Sequence, residues 1–78
     1  MIEKRLKLVL TFHTTTAAMA MESACTVHAL PGRLIPVPRE IASGCGMAWC
    51  SLPENQAELE QLAKAEGIQI AGSYQMML

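Results

Sequence analysis

The sequence has no concentration of positive charge. Its six lysines and arginines are divided between the amino terminus and scattered single positions, against seven acidic residues, for a net charge of −1. The electrostatic footprint of a nucleic-acid binder is missing. No apolar run approaches the roughly 20 residues that a spanning helix needs. The opening MIEKRLKLVLTF has neither the apolar length nor the small-residue cleavage site of a secretion signal. The expectation is therefore a cytoplasmic protein with no nucleic-acid and no membrane partner. The three cysteines contain no C-x-x-C pair, and an odd number argues against a disulfide framework and against a zinc knuckle. No metal site is expected. There is also no G-x-x-x-x-G-K phosphate loop, no Ser-His-acid order, and no acidic residue beside either histidine. Repeats, linkers and low-complexity tracts are absent as well. What these exclusions leave is one small domain, residues 1–78, whose cysteine chemistry is that of a free thiol.

What is there reads as alternating strands and helices. LKLVLTFH sets Leu6, Leu8, Leu10 and Phe12 on one side and Lys7, Val9, Thr11 and His13 on the other, the period of a half-buried strand. TTTAAMAMESACTVHAL follows, with threonines suited to a helix N-cap and a stripe of Ala17, Ala18, Met21, Ala24, Cys25 and His28 at helical spacing. Pro31-Gly32 is expected to end that helix. RLIPV is a short second strand whose Pro36, with Pro38 just beyond, suits only a sheet edge, and a polar loop runs on through Arg39, Glu40, Ser43 and Gly44. MAWCS reads as a third strand. Pro53 then opens a second helix carrying Leu59, Leu62 and Ala63, stopped by Gly67. The last segment alternates Ile68, Ile70, Tyr74 and Met76 as a fourth strand.

The order β-α-β-β-α-β favours an α+β fold of the ferredoxin-like, split βαβ kind: a four-stranded antiparallel sheet with two helices on one face and spatial order 4-1-3-2. The proline-bearing strand then falls on an edge. The uncovered face would include Val9, Thr11, Ala71 and Met77. Two short helices on one sheet leave little concavity for a substrate pocket.

This topology brings the start of the third strand, SGCGMA, beside the end of the first strand and the first turn of the first helix. Glycines flank Cys45 on both sides, at Gly44 and Gly46, and let the backbone approach whatever the sulfur meets. The free N–H groups of the Thr14-Thr15-Thr16 turn, with the helix dipole behind them, favour an anion and so a thiolate. Arg39, on the loop leading into the same end, adds a positive charge. His13 is placed to join as a base or hydrogen-bond partner. These residues point to a nucleophilic or carrier thiol.

TFHTTTAAMAMES, LIPVPREI and SGCGMA together resemble the small bacterial selenium or sulfur carrier-like proteins, which couple a Ser/Thr-rich helix start to an I-P-x-P-R-x-I segment and a C-G-x-A motif. The resemblance runs from about Leu8 to about Tyr74, and PREI followed by CGMA is its specific part. It implies that Cys45 bears the sulfur or selenium, that Pro38 and Arg39 match the family's Pro-Arg, and that the role is chalcogen carriage. His13 beside the threonines, and Cys50 after Trp49, depart from the pattern.

No dissociable cofactor is expected, only sulfur or selenium held covalently on Cys45. The expected partners are a donor and an acceptor protein, with a homodimer through the uncovered sheet face as a further expectation. A stand-alone enzyme is less economical than a relay. Cys25, on the apolar stripe, reads as a small core filler. Cys50 lies roughly 15 Å from Cys45 along an extended strand and at an odd offset that favours the opposite face, too far for a disulfide, which needs Cα atoms within about 7 Å. It remains available for pairing across a dimer. His28 reads as a half-buried packing residue. A different class of function stays open: a non-catalytic dimeric module in which Cys45-Gly46 and the helix N-terminus form a nest for a small anionic ligand and the thiol is dispensable.

Overall fold

In the computed structural model, residues 4–41 and 45–78 are described. The chain forms β1 (Leu6–Phe12), α1 (Thr15–Val27), β2 (Arg33–Pro36), β3 (Met47–Ser51), a 3-10 turn (Pro53–Asn55) that runs into α2 (Gln56–Ala65), and β4 (Ile70–Met77). The four strands form one sheet in the order β2-β3-β1-β4, and every neighbouring pair is antiparallel. This is the expected α+β architecture, consistent with a ferredoxin-like arrangement. Pro36 ends the edge strand β2, where its missing N–H costs the ladder nothing.

Leu8, Leu10, Phe12 and Trp49 form the sheet face on which both helices pack, through Ala18, Met21 and Cys25 of α1 and Leu59, Leu62 and Ala63 of α2. Each large side chain in this layer contributes roughly 1.5–3 kcal/mol by leaving water. The pattern of β1 suggests a half-buried strand, yet it is buried on both faces from Leu8 to Phe12. Hydrogen-bonded neighbours lie on either side of it, and a turn from Pro38 to Ile41, closed by the Ile41 N–H on the Pro38 carbonyl at 3.0 Å, lays Ile41 over Val9 and Ala48.

The fourth strand departs from simple alternation. Thr11 pairs with Gly72 but Phe12 pairs with Ile70, so Ala71 is the extra residue of a bulge. The bulge exchanges the faces. Ile70 packs toward the helices, whereas Tyr74, opposite Val9, and Met76 belong to the other face. Met77, opposite Leu6, lies on the helix side instead of the uncovered one. A Cβ on Gly72 would stand 2.8 Å from the Tyr74 ring, so the ring folds back over the glycine and shields that part of the sheet.

Both helices end in the same way with different residues. In α2, Gly67 at φ 71° lets its own N–H reach the Lys64 carbonyl at 3.3 Å and the Ile68 N–H reach that of Ala63 at 2.8 Å. This pair of bonds is the Schellman arrangement. In α1 the helix stops before Pro31-Gly32: Ala29, at φ 55°, takes the left-handed position, with bonds from Ala29 to Thr26 at 3.3 Å and from Leu30 to Cys25 at 2.9 Å. His28 is therefore the exposed C-cap of α1 and not a half-buried member of its stripe. Gly32, at φ 139°, lies against the Trp49 indole, which a Cβ there would approach to 2.5 Å. Among the described residues no helix is long and apolar enough to cross a membrane.

Two substitutions test this account in urea unfolding. Ala29→Gly removes the strain of a Cβ in the left-handed region and raises stability by about 0.5–1 kcal/mol. Gly32→Ala pushes the Trp49 ring out of its packed position and lowers stability by about 1–3 kcal/mol, with a change in the intrinsic fluorescence of the folded state.

Candidate functional site

The β1–β3 ladder ends at Thr11 opposite Ala48. Three residues beyond Thr11 is Thr14, the N-cap of α1, and three residues before Ala48 is Cys45. The thiol and the helix start therefore belong to one end of the sheet. Thr14 is extended, at φ −134° and ψ 153°, and its hydroxyl accepts the Ala17 N–H at 3.1 Å. The cap consumes one of the donors that a helix N-terminus exposes.

Cys45 is half-buried and packs against the helix-side core. The Met47 N–H donates to its sulfur at 3.4 Å, and the thiol donates to the Met47 carbonyl at 3.3 Å. Gly46 between them has φ 77°, and an added Cβ there would meet nothing within 4 Å. Backbone conformation, not space, requires glycine at this position. The Gly46 carbonyl accepts the Val37 N–H at 3.0 Å, which ties the cysteine segment to the chain just before Pro38 and Arg39. Arg39 is exposed in the Pro38–Ile41 turn, and His13 and Thr15 are exposed beside the cap. Gly44 lies outside the described residues.

The three thiols occupy three different environments. Cys25 is buried in the core between sheet and helices, and burial raises its pKa from the ordinary 9.0 by penalising the thiolate. Cys50 is buried on the other face of the sheet, opposite Val9 on one side and Arg33 on the other. Cys45 alone is partly open to solvent, and all three are free. Among the described residues no three His, Cys, Asp or Glu side chains stand close enough to hold a metal ion.

One feature was missed in the sequence, where little concavity is expected. A cavity of about 570 Å³ opens at the far end of β3, lined by Lys7, Arg33, Ile35, Cys50 and Leu52 among others. Alternation within each strand gave no signal for it, because Lys7 and Arg33 come to the face of Cys50 only through the pairing of β1 and β2 with β3.

The profile of the family described as "Putative Se/S carrier protein-like" matches residues 7–75, from β1 to β4. The chain belongs to that family. No curated protein and no solved structure matches the chain.

The thiol environments predict an order of reactivity for this family member. Under native conditions at pH 8, iodoacetamide labels Cys45 first and leaves Cys25 unmodified until denaturant is added; peptide mapping reads the sites. The raised pKa of Cys25 has a sign. Its contribution to stability is complete below pH 9.0 and declines as pH rises beyond it, because the unfolded thiol ionises first. Cys25→Ala flattens that alkaline decline in urea midpoints.

Proposed function

We propose that this chain carries sulfur or selenium between proteins, with Cys45 holding the atom as a persulfide-type adduct. The observation that carries the reading is exposure: of the three thiols, Cys45 is the one not buried. Membership of the carrier-like family supports it. In the loading step the Cys45 thiolate attacks the terminal sulfur of a cysteine persulfide on a donor enzyme. A sulfur–sulfur bond forms at Cys45, the donor's own sulfur–sulfur bond breaks, and the donor cysteine leaves as a thiolate, so no oxidant is consumed. Unloading repeats the attack from an acceptor nucleophile, and Cys45 is the leaving thiolate. Selenium follows the same course.

The neighbours have definite parts in this scheme. The Met47 N–H, already directed at the sulfur, stabilises negative charge on the cysteine when it leaves. Gly46, where even an added Cβ would meet nothing within 4 Å, leaves open space beside the sulfur for the approach of a partner's cysteine. Thr14 and Thr15 set the helix start whose dipole favours an anion, and Arg39 and His13 supply exposed polar groups that a partner protein can engage. The partners are a donor and an acceptor protein in a reducing cytoplasm, where a free thiol persists.

Intact-mass spectrometry tests the reading. Wild-type protein incubated with a cysteine desulfurase and cysteine, without reductant, gains one or more sulfur atoms that thiol treatment removes. Cys45→Ser gains none, while Cys25→Ala and Cys50→Ala load like the wild type. Loading retained in Cys45→Ser overturns the assignment. If no variant loads and Cys45 alkylates no faster than Cys50, the anion-binding module is the better reading.

A further inference from the structure

The cavity at the far end of β3 is outside the Cys45 site and independent of the carrier reading. Its volume, about 570 Å³, falls within the roughly 300–1,000 Å³ typical of small-molecule pockets. Its lining points to one kind of ligand. Arg33 stands directly opposite Cys50 across the β2–β3 pairing. Lys7 precedes Val9, the β1 partner of Cys50, by two residues and so shares its face. Among the described residues neither cation has an ion-pair partner. The remaining walls are largely apolar, with Ile35 and Leu52 among them. Two cations without an ion-pair partner among the described residues, in a mainly apolar hollow, select a small organic anion with an aliphatic body.

The thiol narrows the class. Cys50 is only 8% exposed, yet it lines this cavity. A reagent reaches its sulfur by entering the hollow, where the cations select for negative charge.

We propose that the cavity binds a small carboxylate-bearing disulfide and that Cys50 is its site of S-thiolation. The Cys50 thiolate attacks one sulfur of the bound disulfide; a new sulfur–sulfur bond forms at Cys50, the ligand's bond breaks, and the other half departs as a thiolate. The overall oxidation state is conserved. Excess thiol reverses the step.

Oxidised glutathione is the probe, and hydroxyethyl disulfide is the neutral control. Wild type, Cys45→Ser, Cys50→Ser and the double variant Lys7→Gln/Arg33→Gln are incubated with each, and adducts are mapped by mass spectrometry of peptides. The expected result is a glutathione adduct on Cys50 in both wild type and Cys45→Ser. In the double variant its rate falls by about tenfold or more, within the range that electrostatic steering produces, while the rate with hydroxyethyl disulfide is unchanged. The neutral reagent also reports on folding: general loosening of the double variant would raise both rates at Cys50. The proposal is overturned if the folded wild type acquires no glutathione at Cys50, if removal of the two cations leaves that rate unaltered, or if both reagents lose rate equally. Failure of Cys45 to carry sulfur leaves each of these outcomes readable, because the Cys45→Ser protein gives them too.

Discussion

β1 is the element on which everything else depends. It is hydrogen-bonded on both edges, to β3 and β4, and Leu8, Val9 and Leu10 are completely buried on its two faces. A one-residue slip against either neighbour would turn Leu8, Leu10 and Phe12 away from the helices and draw Lys7 toward the apolar layer, so the register is held by the cost of burying a charge as well as by lost packing. The register in turn distributes the chemistry. Counting outward from Thr11 opposite Ala48 leads to Thr14 and Cys45 at one end of the sheet. Counting inward leads to Cys50 between Val9 and Arg33 near the other end. Neither site has a framework of its own; each inherits its position from the pairing of β1 with β3.

How much of this was legible in the sequence depends on the range of the interaction concerned. The element order, the edge position of the Pro36 strand and the threonine cap are written in local chemistry: a period of two, a missing N–H, a hydroxyl before an alanine-rich run. They emerged as expected. The bulge at Ala71 was not legible, because nothing in IAGSYQ distinguishes an extra residue from a paired one. It is fixed by where Phe12 and Thr11 must lie for the core to close. The end of α1 was misread for a related reason. Pro31-Gly32 looks like a stop, but the Schellman bonds form earlier at Ala29, a residue with no preference for φ above zero.

The candidate sites divide along the same line. Cys45 stands out in sequence because glycines flank it and an arginine precedes it, and its position at the helix-start end of the sheet follows from topology alone. The cavity around Cys50 does not stand out, since its cations come from two strands separated from it by many residues. Only the pairing brings Lys7 and Arg33 to one thiol. Spacing along β3 separates Cys50 from Cys45 but says nothing of the neighbours that lie across the strand, Val9 and Arg33.

That separation of thiols has a consequence for transfer on the carrier proposal. A persulfide is discharged by any thiol that reaches its sulfur atoms. Within this chain Cys25 is sealed in the core, and Cys50 is buried on the opposite face of the sheet from the core against which Cys45 packs. Neither can attack a chalcogen on Cys45 while the sheet is intact. The adduct's lifetime is therefore set by encounters with other molecules. Selection among those encounters falls to the surface of the protein at that end of the sheet. The same burial that keeps Cys25 unreactive thus makes a one-thiol carrier possible in a chain that has three.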